Sequence, residues 1–399
     1  MISDSLNFPG DEPAPETQER TNFVRRLFLS DFRSYHTLDL SLDAQMIALT
    51  GENGVGKTNI LEALSLLTQG RGLRRADMGE LAREKGSGGW VLSVELEAEF
   101  GRVQLGTGLE PGDIGTAPTR KYRIDRAPVS SARAFADHIR LVWLTPSMDG
   151  LFSGAAGERR RFLDRLVLAL DAEHGTRVNA LEKALRNRNR LLEENVRDEY
   201  WLKSAEREVA ELAIAVSAAR LETVSRLAAL INQQKERASP FPWADIHLEG
   251  ELETLIATRP ALEAEDIYRD MLRANRGRDA AAGRTLIGPQ ASDLVVRHGP
   301  KDADASRSST GEQKALLVGL VLAHARLVKA MSGMAPLILL DEIAAHFDSA
   351  RRAALYEDLS GIGCQIWMTG ADKSSFAEAG SAVHILDVRA GSVVPAVSS

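Results

Sequence analysis

Gly51-Glu52-Asn53-Gly54-Val55-Gly56-Lys57-Thr58 fits the pattern Gly-x-x-x-x-Gly-Lys-(Ser/Thr) without a mismatch. Residues 46–50 before it form a short apolar run, and residues 59–67 after it carry apolar side chains at helical spacing. Strand, Gly-rich turn and helix start, in that order, are the context in which this pattern cradles phosphates. The glycines let backbone N–H groups turn inward on a β-phosphate, Lys57 reaches the β- and γ-phosphates, and the Thr58 hydroxyl holds Mg²⁺. The helix N-terminus adds its dipole. The expected ligands are ATP and Mg²⁺, with Gly51, Asn53, Gly54, Gly56, Lys57, Thr58 and Asn59 around them.

A second half of the site is expected near the other end of the chain. Residues 337–340 are fully apolar and run into Asp341-Glu342, as a strand buried in a parallel sheet would. Asp341 suits water-mediated ligation of Mg²⁺, and Glu342 is placed to polarise an attacking water as general base; the plainer alternative for Asp341 is a cap on the next helix. Upstream, Ser308-Ser309-Thr310-Gly311-Glu312-Gln313-Lys314 opens a long helical pattern. Ser309 and Gly311 there make either an anion site or an ordinary capping box between Ser309 and Glu312.

Around these motifs the chain reads as an α/β unit split by an insertion. Residues 23–29 and 38–42 alternate as two strands about a polar turn at 31–35, residues 90–100 and 120–125 read as strands, and 106–118, rich in Gly and Pro, reads as a loop. Residues 141–144 form another strand. From 158 to 237 the pattern is helical and charged, ended by Ser239-Pro240-Phe241-Pro242, with a mixed segment following to 284. Strands return at 293–297, 337–340, 365–368 and 382–386. The expected division is therefore 22–145 and 285–399 for the nucleotide-binding lobe, with 146–284 as a mainly helical inserted lobe.

Composition narrows the classes. With 399 residues and 44% hydrophobic content the chain can bury a real core. A single cysteine, Cys364, excludes a disulfide framework and points to a reducing, cytoplasmic setting. No run of about 18 consecutive apolar residues occurs, so no membrane partner is expected. Residues 1–21 are polar and acidic, with neither a basic flank nor an apolar stretch, and read as a disordered leader or as a start codon placed too far upstream. A net charge of −7 argues only weakly against nucleic acid, because basic clusters stand at 71–75, 159–165 and 183–190.

Phosphate loop, insertion, Ser-x-Gly helix start, acidic strand and Asp348 follow one another in an order that resembles the ATP-binding-cassette heads. The fold class this implies is an α/β ABC-type ATPase head: a phosphate-loop sheet flanked by helices, an N-terminal antiparallel β subdomain, and an inserted, mainly helical lobe. The resemblance also implies that Ser309 and Gly311 serve the γ-phosphate of a second protomer and that Asp348 lies at the dimer seam. His346 beside it reads as a surface histidine. More specifically, Leu29-Ser30-Asp31-Phe32-Arg33-Ser34-Tyr35, Gln69-Gly70-Arg71-Gly72-Leu73-Arg74, Gly157-Glu158-Arg159-Arg160-Arg161-Phe162-Leu163-Asp164-Arg165 and Gly288-Pro289-Gln290-Ala291-Ser292-Asp293-Leu294 look like the RecF family of DNA replication and repair proteins. The likeness covers residues from about 23 to about 388. The chain departs from that family in Ser309-Thr310-Gly311-Glu312-Gln313, where a Gly-Gln-rich signature is usual, and in Gln290, where a basic or imidazole residue often follows Gly-Pro. From cassette heads generally it departs in lacking a glutamine near 141–146 and a histidine after 368–370, so that Thr369 is left to sense the γ-phosphate.

The RecF resemblance implies an ATP-dependent homodimer on double-stranded DNA or single/double-strand junctions, weak DNA-dependent ATP hydrolysis, and work with RecR and RecO in loading RecA at single-stranded gaps. Candidate DNA contacts are Arg71, Arg74, Arg75, Arg186, Arg188 and Arg190, set against the plainer reading of solvated charge. Arg159–Arg161 either contact phosphate or pair with nearby carboxylates. Arg33 either reaches the nucleotide or forms an ion pair, and Tyr35 packs. A reading from another class is a head that dimerises mainly as a scaffold for protein partners, with DNA incidental. An overcoming-lysogenisation nuclease ATPase needs an appended acidic nuclease domain, which the roughly 15 residues after the last expected strand do not supply.

Overall fold

The structure is a computed structural model that describes residues 22–98, 101–112, 118–195, 198–235, 239–344 and 347–396. The expected leader and His346 lie outside those residues. In chain order the elements are β1 (Phe23–Phe32), β2 (Tyr35–Ser41), β3 (Met46–Thr50), α1 (Lys57–Ser65), β4 (Trp90–Ala98), β5 (Gly101–Glu110), β6 (Thr119–Ile124), β7 (Ala127–Val129), β8 (Leu141–Leu144), α2 (Ala156–Leu170), α3 (His174–Glu193) and α4 (Glu199–Gln234). They continue with β9 (Ala244–Glu249), α5 (Glu251–Thr258), α6 (Ala261–Ala274), α7 (Arg276–Ala282), β10 (Asp293–His298), β11 (Ala303–Asp304), α8 (Thr310–Ser332), β12 (Leu337–Leu340), α9 (Ser349–Ile362), β13 (Ile366–Thr369), β14 (Val383–Arg389) and β15 (Ser392–Pro395).

Three sheets organise the described residues. The phosphate-loop sheet has the order β15-β14-β3-β13-β12-β8. Its strands β14, β3, β13, β12 and β8 are parallel, and β15 closes one edge antiparallel. Every residue of β3, β8, β12 and β13 is buried, which is why these segments read as unbroken apolar runs: a parallel strand covered on both faces has no polar side to show. An antiparallel sheet of order β2-β1-β4-β5-β6-β7 forms the N-terminal subdomain, and here alternation is the rule, as along β2 and β5, because one face is wet. The third sheet, β11-β10-β9, is antiparallel and joins residues on both sides of the boundary expected at 284.

Two departures from the sequence reading have physical causes. Gly106 and Gly108, expected in a loop, lie within β5, paired to β4 on one side and β6 on the other. Glycine weakens a strand, but two ladders outweigh that preference, and a Cβ at Gly108 would come within 2.6 Å of the Trp90 carbonyl oxygen. The segment at 293–297 does form a strand, β10, but it pairs with β9 and β11 and not with the phosphate-loop sheet.

The insertion supplies α2, α3 and the 36-residue α4. Leu202, Ala205, Val209, Ala213, Val216, Arg220, Val224, Leu227 and Ile231 bury one stripe of α4 at three- and four-residue steps. Its first half joins an apolar cluster with α3, α5 and α6, and its second half joins the main core with the sheets. One long helix thus belongs to two cores. Helix α8 is long and apolar enough to cross a membrane by length and composition. Its side chains pack instead against α2, α4, α9 and β8, where a fully buried leucine contributes about 1.5–3 kcal/mol.

Candidate nucleotide site

The phosphate loop is held in its shape from outside. Gly51, Gly54 and Gly56 have φ of 142°, 84° and 117°, a region that side chains with a Cβ avoid. A Cβ at Gly51 would meet the Val388 carbonyl oxygen at 2.4 Å, and one at Gly56 would meet the Ser34 and Tyr35 hydroxyls at 2.7 and 2.8 Å. The Tyr35 hydroxyl also donates to the Gly56 carbonyl at 3.1 Å; Tyr35 packs, as expected, and it also fixes the loop. Helix α1 starts directly from Gly56 with no side-chain cap, so its first N–H groups are left facing the loop's cleft. The Lys57 ammonium donates to the carbonyls of Gly51 at 2.5 Å and Glu52 at 2.8 Å. Burial pulls its pKa down, against the opposing pull of the Glu342 and Asp341 carboxylates.

From the far end of the chain, β12 delivers Asp341 beside this loop. Asp341 Oδ1 accepts from the Thr58 hydroxyl at 2.8 Å and from the Thr369 hydroxyl at 2.8 Å, and Thr369 accepts in turn from the Glu342 N–H at 2.8 Å. The Asp341 N–H bonds to Leu144 O on β8, which fixes the backbone to the sheet; the carboxylate oxygen takes two side-chain hydroxyls, and the next helix is capped by Asp348 instead. Glu342 sits at φ 50°, a left-handed conformation that costs a non-glycine residue of the order of 1–3 kcal/mol and gathers at functional sites. The Thr369 hydroxyl is what secures it. Asn53, Gly54, Gly56, Lys57, Thr58, Asn59, Arg74 and Glu342 line one cleft of about 400 Å³.

The arrangement fits a nucleotide with a divalent cation. Uncapped helix N–H groups, an ammonium and glycine-shaped backbone suit phosphates. The Thr58 hydroxyl and Asp341 carboxylate offer two hard oxygen donors, as many as Mg²⁺ takes when phosphates and waters complete its shell. No group of three or more His, Cys, Asp or Glu among the described residues is placed to hold a metal ion by itself, and this mode of binding needs none.

Other expected residues fall elsewhere. Arg33 does not reach the loop: its Nε and Nη2 fork onto Glu62 at 3.0 and 2.9 Å, and its Nη1 donates to Glu80 O. Glu62 is fully buried, and an unpaired carboxylate there would be costly, which explains why Arg33 is drawn inward. Arg74 shares Glu62 at 3.3 Å and donates to Asn59 at 2.9 Å, so it belongs to the cleft and not to a separate basic face. Asn59 also donates to Ser34. Arg71 is exposed and paired with Asp77, Arg186 is exposed beside Glu182, and Arg75 and Arg190 are exposed.

Arg188 is a correction. It is fully buried, donating to Asp279 at 2.8 Å, Thr285 at 2.8 Å and Leu272 O at 2.7 Å, with Glu206 at 3.5 Å, and it offers nothing to a DNA phosphate. Arginines at every second helical position fan around the axis, and this one faces α6 and α7.

Ser309 caps α8 in a full capping box with Glu312, so the bland reading of that motif is realised. Even so, Ser309, Thr310 and Gly311 stay exposed and contribute nothing to the lining of the cleft. Lys301 at 2.6 Å and the Ser309 N–H hold the Glu312 carboxyl down to about 2. Asp348 caps α9, accepting from the Arg351 N–H at 2.8 Å. Sequence reading missed Glu62 and the cleft position of Arg74. The signal for the first was a carboxylate on the otherwise apolar inner face of α1.

The RecF/RecN/SMC N-terminal domain family matches residues 23–393. The DNA replication and repair protein RecF of Allorhizobium ampelinum is 51% identical over 369 residues, 92% of this chain and 98% of that protein. Its counterpart from Rhizobium etli is 50% identical over 370 residues, 93% and 98% of the two chains. The chain belongs to the RecF family. Two solved structures of the recombination mediator protein RecF in the RecFOR pathway, RecF-ATPrS and RecF-ATP, superpose with TM-scores of 0.81 and 0.79 at 19% identity, covering 94% of this chain and 99% and 100% of theirs. A SmcHead bound to the C-winged helix domain of ScpA superposes at 0.53 with 15% identity over 94% of this chain and 98% of its own. At such identities the likeness is one of fold, the ABC-type ATPase head.

Proposed function

We propose that this chain is a cytoplasmic ATP-dependent DNA-binding protein of recombinational repair. In this reading it pairs head to head on double-stranded DNA or single/double-strand junctions when ATP is bound, and hydrolyses ATP slowly. With RecR and RecO it assists RecA loading at single-stranded gaps. The observation that carries the ATP reading is the chain of three hydrogen bonds that links Thr58, Asp341, Thr369 and Glu342 beside the phosphate loop. Family membership and the RecF-ATP fold neighbours support it further.

Lys57 places a point charge where the β- and γ-phosphates meet. Thr58 and Asp341 hold Mg²⁺, which when bound neutralises the charge that develops on the phosphate oxygens. Glu342 orients the attacking water and takes its proton, a contribution of about 10²–10⁴ in rate. Thr369 keeps Glu342 and Asp341 in register. Ser309 and Gly311, exposed and away from their own cleft, are assigned to the γ-phosphate in a second copy, with Asp348 at the seam. Arg71, Arg75, Arg186 and Arg190 are the remaining candidates for DNA phosphates. The scaffold reading draws its support from the carboxylate partners beside Arg71 and Arg186.

The test is duplex-DNA anisotropy with and without ATP·Mg²⁺, with molecular mass read on the same samples, for wild type, Lys57→Met and Glu342→Gln. Glu342→Gln is expected to dimerise and grip DNA with ATP, and Lys57→Met to do neither. DNA affinity should fall steeply with salt, since phosphate contacts release counterions. ATP-driven dimers whose DNA affinity is low and unchanged by nucleotide would replace this reading with the scaffold.

A further inference from the structure

Two of the segments that carry the RecF resemblance, residues 157–165 and 288–294, contribute nothing to the lining of the nucleotide cleft; they bind each other. The Arg159 guanidinium, on α2, forks onto Asp293 at the start of β10, Nε to Oδ1 at 2.8 Å and Nη2 to Oδ2 at 2.7 Å. Its remaining Nη1 turns the other way and donates to Gly154 O at 2.6 Å, with Leu151 O and Phe152 O at 3.5 and 3.4 Å. One side chain therefore ties β10 to the loop at residues 151–154. Neighbouring Arg160 adds a bond to Ser292 O at 2.7 Å.

Both things that Arg159 ties are in contact with the start of α8. From the loop, the Ser153 hydroxyl donates to Gln313 Oε1 at 3.1 Å, and the Gln313 amide donates to Ser308 O at 2.9 Å and Ser306 O at 3.3 Å. Asp149, just before that loop, faces the Lys314 ammonium at 3.6 Å. From β10, the hairpin to β11 carries Lys301, which holds Glu312 at 2.6 Å, and β11 leads directly into residues 305–309. The exposed Ser309 thus lies between two supports, and Arg159 bonds to both.

We infer that Arg159, with Asp293, is a positioning residue that sets where Ser309 stands, and that it links the helical insertion mechanically to the start of α8. The inference rests on the proposed role of Ser309 across a head-to-head interface, but the brace itself is a property of one protomer. A guanidinium is needed: a planar fork satisfies a carboxylate and a turn of carbonyls at once, whereas an ammonium is a single point charge. Arg159 touches neither the phosphate loop nor Asp341, so its loss should spare nucleotide binding by the single head.

Three variants test this: Arg159→Ala, Arg159→Lys and Ser153→Ala, the last breaking only the contact to Gln313 and leaving the ion pair intact. Amide exchange of residues 306–314 is expected to speed up at least tenfold in Arg159→Ala, less in Ser153→Ala, with exchange of residues 51–58 unchanged. In a Glu342→Gln background the dissociation constant of the ATP-induced dimer should rise at least tenfold, while the affinity of the monomer for a fluorescent ATP analogue stays within twofold. Arg159→Lys should resemble Arg159→Ala in both readouts. Unchanged exchange at 306–314, or a fall in nucleotide affinity in step with dimerisation, overturns the inference. Should the parent Glu342→Gln protein not dimerise with ATP, head pairing itself is refuted, and the exchange measurement still decides whether Arg159 is the brace.

Discussion

Replacing Arg188 by alanine should weaken the helical insertion and leave DNA binding by the folded protein unchanged. The guanidinium is fully buried among Asp279, Thr285, Leu272 O and Glu206. Its removal strands Asp279 Oδ2 without a partner, although Asp279 Oδ1 keeps the Leu286 N–H at 3.0 Å. Glu206 keeps the Arg276 fork at 2.8 and 2.6 Å, so one carboxylate is left poorly paired, not two. Breaking a buried pair from one side costs about 3–5 kcal/mol, and the retained partners place this case toward the lower end. Since about 1.4 kcal/mol is a factor of ten, native-state hydrogen exchange in α3 and α7 should accelerate by roughly 10²–10³. Arg186→Ala and Arg190→Ala, on the exposed side of the same helix, should stay within about 0.5 kcal/mol. Adding Asp279→Asn to an Arg188→Met variant should recover part of the loss, because the stranded charge is gone. An Arg188→Ala protein with wild-type protection and weakened duplex affinity would return this residue to the DNA surface.

Three further outcomes are expected. Thr369→Val removes the hydroxyl between Asp341 and the Glu342 N–H; single-turnover hydrolysis should slow at least tenfold while ATP affinity, read by calorimetry, changes little. Gly56→Ala puts a Cβ within 2.8 Å of two hydroxyls at a φ of 117°, and should lower ATP affinity at least tenfold with a loss of more than about 1 kcal/mol in stability. His324 is held neutral by burial, with its pKa pushed down to about 4, against about 6.5 in the unfolded chain. The unfolded state takes up its proton first, so this group's share of stability is full above pH 6.5 and is lost as pH falls toward 4, with a slope of at most about 1.4 kcal/mol per unit. Chemical denaturation of His324→Asn across that range should show a shallower decline; an unaltered slope would mean that other groups carry it.

What the sequence made legible follows from the range of the forces involved. The phosphate-loop motif is local: three glycines, one lysine and one threonine stand within eight consecutive residues, even though Tyr35 and Val388 hold the loop from outside, and residues 46–50 were readable as β3 without any partner. Buried parallel strands such as β8, β12 and β13 were equally plain, because burial on both faces leaves only apolar letters. The inserted position of the helices could be read from breaker spacing. Pairing was harder to read. Gly106 and Gly108 looked like a loop because glycine's preference is visible in sequence and two flanking ladders are not. Arg188 looked like surface because its carboxylates stand on α4 and α7, as distant in sequence as Asp279. Arg33 and Arg74 turned toward Glu62, a residue whose burial no neighbouring letter announces. Strand β11 has only two residues, and the place of both it and β9 in a sheet comes from their pairing with β10.

The site's geometry also ties its assembly to completion of the fold. Thr58 and Asp341 are 283 residues apart in sequence and 2.8 Å apart in space, and what brings them together is the order β3-β13-β12 in one sheet. Thr369, at the end of β13, donates to Asp341 and accepts from the N–H of Glu342 in its left-handed conformation. None of the three side chains is placed until residues 46–50, 337–340 and 366–369 have paired, which means after the entire insertion has been accommodated between β8 and β12. Loop-closure entropy for so long a connection rises only logarithmically with length, so a sizeable insertion costs the sheet little. Ser309 is placed differently. It lies on the far side of the insertion, is exposed, and is braced by residues of α2 and β10 that have no contact with the cleft. A change in how the insertion is held can therefore move the α8 start while leaving Lys57, Thr58 and Asp341 where the sheet has put them.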